Sequence, residues 1–203
     1  MRFVSVLAAA LPAAVLVCTP QAVSAKELKC SDLMDIALPH AAVQRVTSER
    51  LSARTKACRF VVSSKPAPDS EVRIEVWVPV GAAWNGAYAQ LGTGDQGEGL
   101  ERLAGQGYAV ATGTERKAED AAGANRRAMR ETAAVARTLV ASQKGFAPNR
   151  AWLDACGAGN REILARGLPE GFDGVLFNDR PQTLPRRPGA VALRCGMLAR
   201  PRP

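Results

Sequence analysis

The sequence predicts an α/β protein: an antiparallel N-terminal hairpin followed by mostly parallel strands with helices on both faces and no lid domain. Three observations carry this. Val72, Ile74, Val76 and Val78 alternate with Glu71, Arg73, Glu75 and Trp77, the period of a strand with one buried face. From Ala87 onward, short apolar runs alternate with helical patterns, as strand–helix–strand units do. Ala151 to Phe177 then reads as a strand, a sharp small-residue turn, a short helix around Ile163 and Leu164, and another strand from Val175.

At the N-terminus, Met1 to Ala25 has one basic residue, Arg2, and an apolar core from Phe3 to Val17. Val23-Ser24-Ala25 precedes Lys26. This is the pattern of a cleaved secretory signal peptide. The run is broken by Pro12 and falls short of the roughly 20 residues a membrane span needs, so no stable membrane anchor is expected. Val17 also argues against lipidation at Cys18, because it is bulkier than the residue expected there. The expected organisation is residues 1–25 as signal peptide, 26–180 as one domain and 181–203 as a Pro/Arg-rich tail. The expected location is periplasmic or secreted.

The formal net charge of +8 falls by one when Arg2 is removed. A basic balance can mark an anionic partner, but the arginines are scattered apart from Arg126-Arg127, Arg186-Arg187 and the tail, and no nucleic-acid motif is present. The expectation is a solvated surface with no nucleic-acid partner.

Of five cysteines, Cys30, Cys58, Cys156 and Cys195 remain after cleavage. In an exported chain an even count points to disulfides, and four cysteines allow three connectivities. The most local joins Cys30 to Cys58, which leaves Cys156 with Cys195.

Cys30 to Ala42 reads as a short helix capped by Ser31, with Leu33, Ile36 and Ala37 on one face. His40, the one histidine, sits beside Pro39 at its end, and its reading is an exposed residue without a catalytic role. Arg59–Lys65 and Glu71–Pro79 are strands joined by the turn Pro66-Ala-Pro-Asp-Ser70. A third strand runs from Ala87 to Leu91 and a fourth from Gly107 to Thr112. Asn125 to Gln143 is the strongest helix, with Met129, Ala133, Ala136 and Val140 as its stripe and Arg127 with Glu131 as an exposed i,i+4 pair. In the tail only Ala190 to Leu193 suggests another strand, so the sheet is expected to end at Val175–Phe177. That would leave an open edge for the tail, a protein partner or a second copy to cover.

Gly92 to Gly99, GTGDQGEG, contains G-x-G-x-x-G between a strand and a helix, with Glu115 near the spacing of a ribose-binding acid. Asp95 and Glu98 would lie in the phosphate bed, and the preceding strands form a hairpin instead of opening a βαβ unit, so nucleotide binding is the weaker reading. No metal or cofactor is expected.

Taken together, ACRFVVSSKPAPDSEVRIEVWVP (Ala57–Pro79), WNG (Trp84–Gly86), the loop at Gly92, GYAVATGT (Gly107–Thr114), RETAAVARTLV (Arg130–Val140) and the DACGAGNRE to PEGFDGV run (Asp154–Val175) resemble the tannase and feruloyl esterase family of α/β-hydrolases. The resemblance implies an α/β-hydrolase sheet, here incomplete, and ester hydrolysis of aromatic carboxylic esters. It also implies a nucleophile turn G-C-S-x-G-G whose cysteine is disulfide-bonded to one beside the catalytic histidine.

On that pattern Cys156, Gly157, Ala158 and Gly159 form the turn, with Gly157 at the serine's place and Asn160 at that of the last glycine. The oxyanion loop becomes Gly92, Thr93, Gly94 and Asp95, which puts a carboxylate where negative charge should be stabilised. No histidine follows residue 40. A thiolate nucleophile at Cys156 would put Asp154 where the turn needs a small residue and would still lack a base. The expectation is an exported member of the family without ester hydrolysis. The alternatives are a binding or interaction module and one part of a split esterase.

Overall fold

The computed structural model describes residues 26–92, 97–116, 121–155, 170–177 and 191–194. Eight strands form one sheet: β1 (Ala41–Arg50), β2 (Lys56–Ser64), β3 (Glu71–Pro79), β4 (Ala87–Leu91), β5 (Ala109–Arg116), β6 (Arg150–Asp154), β7 (Gly174–Phe177) and β8 (Val191–Arg194). Their spatial order is β1-β2-β3-β5-β4-β6-β7-β8. The pairs β1–β2, β2–β3 and β3–β5 are antiparallel, and β5–β4, β4–β6, β6–β7 and β7–β8 are parallel. An antiparallel start followed by parallel strands is what the sequence predicts.

Helix α1 (Glu98–Gly105) and helix α2 (Ala121–Lys144) cover opposite faces of this sheet. On the α2 face, Phe60, Val62, Ile74, Val76, Ala111 and Leu153 pack against Met129, Ala136, Leu139 and Val140. On the α1 face, Trp77, Leu91, Val110 and Trp152 pack against Leu100, Leu103 and Ala104. The split follows from the period of two in β3, where the even-numbered residues 72–78 face α2 and Trp77 faces α1. Burying each such Val, Leu or Ile contributes roughly 1.5–3 kcal/mol. Helix α2 stops at Gly145, whose φ of 81° lets its N–H return to the Ala141 carbonyl at 2.8 Å.

Several expectations are corrected. The helix over Cys30–Ala42 reduces to a 3-10 turn, Cys30–Leu33, whose N-cap is Lys29 and not Ser31. A left-handed His40 (φ 55°) then reverses the chain into β1, a ten-residue edge strand that the sequence reading missed. Pairing with β2 outweighs the weak helical pattern there, because Val43 and Val46 reach the core only from an extended chain. Cys30 and Cys58 do form a disulfide, with a Cα–Cα distance of 5.3 Å, and the segment they bracket contains this strand.

The exposed Arg127–Glu131 pair is absent. Arg127 instead binds Glu115 of β5 at 3.0 Å, and Glu131 accepts the Ser64 hydroxyl at 2.5 Å. Both contacts tie α2 to the sheet, which local spacing along one helix does not reveal. The strand expected at Gly107–Thr112 starts later and runs on to Arg116. The sheet does not end at β7: β8, from the expected tail, pairs with it from Gly174↔Val191 to Phe177↔Arg194. Among the described residues the two edges of the sheet are β1 and β8.

Candidate functional site

Strand β4 lies between β5 and β6 in the parallel part. The chain passes from β4 through α1 to β5 on one side, then through α2 to β6 on the other. In an open α/β sheet such a reversal leaves a crevice at the carboxyl ends of the two strands, where ligands bind.

Three hydrogen bonds define this rim. Gly92 donates its N–H to the Asp154 carbonyl at 3.1 Å, the Thr112 hydroxyl donates to the Gly92 carbonyl at 3.4 Å, and Ala155 donates its N–H to the Leu176 carbonyl at 2.9 Å. Thr112, Asp154 and Ala155 are all buried. The loop after β4 and the turn after β6 therefore leave the sheet side by side. In a hydrolase these two segments supply the oxyanion N–H groups and the nucleophile.

Of the sequence-predicted residues, Gly92 lies at this rim, and Ala155 stands one residue before Cys156. Thr93, Gly94, Asp95, Cys156, Gly157, Ala158, Gly159, Asn160 and Cys195 lie outside the described residues, as does the segment 1–25. The Cys156–Cys195 pairing is therefore not tested. Among the described residues no group of three or more His, Cys, Asp or Glu could hold a metal ion, and no helix is long and apolar enough to cross a membrane.

His40 is exposed at the start of β1. Five strand spacings, roughly 24 Å, separate β1 from β6, so it cannot act as a base at the rim. Glu115, the residue at the ribose-acid spacing, has a buried carboxylate that accepts from Ser70 at 2.6 Å and from Arg127 at 3.0 Å. Its Oε1 is committed to the fold, which removes the support it gave to nucleotide binding.

Below the rim, Tyr88 of β4 donates to Gln90 Oε1 at 2.9 Å, and Gln90 Nε2 donates to the Met129 carbonyl of α2 at 2.9 Å. Burial pushes the Tyr88 phenol far above its ordinary range, against the opposing pull of Arg137. Arg137 lies over Tyr88 and Phe172 and donates to the Gly171 carbonyl. This network ties β4 to α2 and to the turn before β7.

Residues that sequence reasoning did not single out are Arg45, Lys65, Arg73 and Arg116. All four are exposed and line one cavity of about 690 Å³ on β1, β2, β3 and β5. The signal available in the sequence was Arg73 on the wet face of its strand. The other three join it only through cross-strand register.

Sheet order, the antiparallel start and the β4/β6 crevice together define an α/β-hydrolase-like fold. No protein-family model matches the chain. An uncharacterized esterase of Xanthomonas campestris pv. campestris is 30% identical over 178 residues, an alignment covering 72% of this chain and 31% of that protein. Among solved structures, feruloyl esterase B from Aspergillus oryzae is similar with a TM-score of 0.54 and 19% identity, over 73% of this chain and 36% of that one. A second Aspergillus oryzae esterase gives 0.54 and 18% over the same shares. The chain thus has an α/β-hydrolase-like fold and esterase-like relatives, and it spans about a third of the length of those it matches.

Proposed function

We propose that this chain is an exported relative of the tannase and feruloyl esterase enzymes that does not itself hydrolyse esters by a serine mechanism. The observation that carries the reading is the position of Ala155. Strand β7 holds it at the end of β6, beside Gly92, where a hydrolase chain turns into its nucleophile. Two residues on, the sequence supplies Gly157, and it contains no serine beyond Ser142. Without a hydroxyl at the turn no acyl-enzyme forms, and only weak residual acceleration from binding is left. Asp95 in the neighbouring loop adds a charge of the wrong sign for an oxyanion. Export to the periplasm or the medium rests on the signal-peptide pattern of Met1–Ala25.

The test is turnover of methyl ferulate, methyl gallate and a p-nitrophenyl ester by the purified, folded chain. The expected result is no turnover beyond a weak residual acceleration over buffer, unchanged in Cys156→Ala. Turnover above that level that co-elutes with the folded protein overturns the reading, and its loss in Cys156→Ala would move the nucleophile to the thiol.

The second reading, a binding or interaction module, is favoured by the basic cavity over β1–β3 and β5. A partner chain or second copy would add at β8, the edge of the parallel part among the described residues. Size-exclusion chromatography with light scattering tests that placement, and a strict monomer weakens it.

A further inference from the structure

The α1 face of the sheet is covered by α1 only over Trp77, Val110 and their neighbours. Where the strands pass beyond the helix, the same face carries the cavity of about 690 Å³. Register places its walls. Ser63 lies opposite Arg73, Val61 opposite Glu75, and Glu71 opposite Arg116, so these side chains share one face.

Arg45 joins them through an irregularity in β1. Ala42 pairs with Ser63 and Val43 with Val62, yet Arg45 and not Gln44 pairs with Val61. In a regular strand Gln44 would face the cavity and Arg45 the α2 core. The bulge at Gln44 keeps Val43 and Val46 toward the core and adds Arg45 to the cavity wall beside Gln44.

Among the described residues the lining carries four cations, Arg45, Lys65, Arg73 and Arg116, and one carboxylate, Glu71, which accepts the Ser63 hydroxyl at 3.2 Å. None of the four forms an ion pair among the described residues, whereas Arg59, on β2 beyond the cavity, is matched with Glu75 at 2.8 Å. Four like charges facing one carboxylate repel one another more than it offsets, and a bound polyanion relieves that repulsion.

We propose that this cavity is a binding groove for a linear anionic glycan, one carrying carboxylate or sulfate groups along its chain. Arg45 and Arg73 are rooted roughly 12 Å apart, and Arg73 and Arg116 roughly 8 Å, from the strand spacing and register. The three roots lie along a diagonal too long for the outer two to meet on one small anion. Three of the four cations are arginines, whose planar fork matches carboxylate and sulfate oxygens in pairs. Among the described residues His40 is the one ring in the lining and no Phe, Tyr or Trp joins it, so the groove lacks the run of stacking rings that single-stranded nucleic acids use. Gln90 of β4 pairs with Ala111 of β5, which then runs on to Arg116. The Arg116 end of the groove therefore lies at the same rim as the β4/β6 crevice, and a bound chain would lead toward it.

The test is titration of the purified chain with alginate, dextran sulfate and neutral dextran in 50 mM salt, followed by calorimetry. Binding of alginate or dextran sulfate, but not dextran, is expected. Each of Arg45→Ala, Arg73→Ala and Arg116→Ala should weaken it about threefold, the size of one exposed ion pair. The Arg45→Ala/Arg73→Ala double variant should weaken it about tenfold. Arg54→Ala, which removes an exposed cation from the β1–β2 turn with the same loss of net charge, should leave it unchanged. Circular dichroism confirms that each variant is folded. The proposal is overturned by failure to bind either anionic glycan, by equal weakening in Arg54→Ala, or by tighter binding of polyphosphate or single-stranded DNA at equal charge.

Discussion

Glu27 Oε1 lies 2.6 Å from Lys144 Nζ, and its carboxylate also accepts the Gly81 N–H at 3.0 Å. One residue at the start of the described chain thus clamps the end of α2 and the turn after β3. Lys144 is buried over Trp84, and burial lowers its pKa while Glu27 holds it up. Glu27→Gln should cost about 1–3 kcal/mol in urea unfolding, since it strands a buried ammonium. Lys144→Met should cost less than Glu27→Gln. Because the folded Lys144 releases its proton before the unfolded one, stability rises with pH below the ordinary lysine value. Glu27→Gln should widen that window toward neutral pH.

At more alkaline pH the tyrosines act in the opposite direction. Burial raises the pKa of both Tyr88 and Tyr108 above the ordinary 10.0. Above that value the unfolded phenols lose protons that the folded ones keep, so stability falls as pH rises. Fully buried Tyr88 should contribute a slope of about 1.4 kcal/mol per pH unit. In Tyr88→Phe that contribution disappears, while stability at pH 7 falls by about 1–2 kcal/mol because Gln90 Oε1 loses its donor. Denaturant midpoints measured from pH 7 to 11.5 check both statements.

Gly113 of β5 lies directly against Thr132 of α2. A Cβ there would lie 1.9 Å from Thr132 Oγ1 and 3.2 Å from Thr132 Cβ. Gly113→Ala should therefore destabilise by about 1–3 kcal/mol through overpacking. Adding Thr132→Ala should recover part of the loss, giving a favourable coupling in a double-mutant cycle.

Reduction of Cys30–Cys58, which are 28 residues apart, should lower stability by about 3.5 kcal/mol from released loop entropy. Cys58 is fully buried and accepts a hydrogen bond from Gln143 Nε2 at 3.2 Å. A Cys58→Ser variant should therefore lose more than a Cys30→Ser one, as thermal unfolding without reductant would measure.

The sequence by itself determined strands β2 through β7, suggested β8 at Ala190–Leu193, and determined the long stripe of α2. Their hydrophobic spacing has one solution whatever surrounds them. It also fixed what stands at the expected nucleophile position, because Gly157 follows Ala155 by covalent connection alone. Tertiary structure decided the rest. Strand β1 is a polar edge whose form comes from pairing with β2, and β8 is placed by β7. Arg127 found Glu115 instead of Glu131 because folding brought a better-buried carboxylate within reach. The basic groove exists only after β1, β2, β3 and β5 are set in register and the bulge at Gln44 has turned Arg45 outward. Residues distant in sequence meet there by cross-strand pairing, which no local pattern encodes.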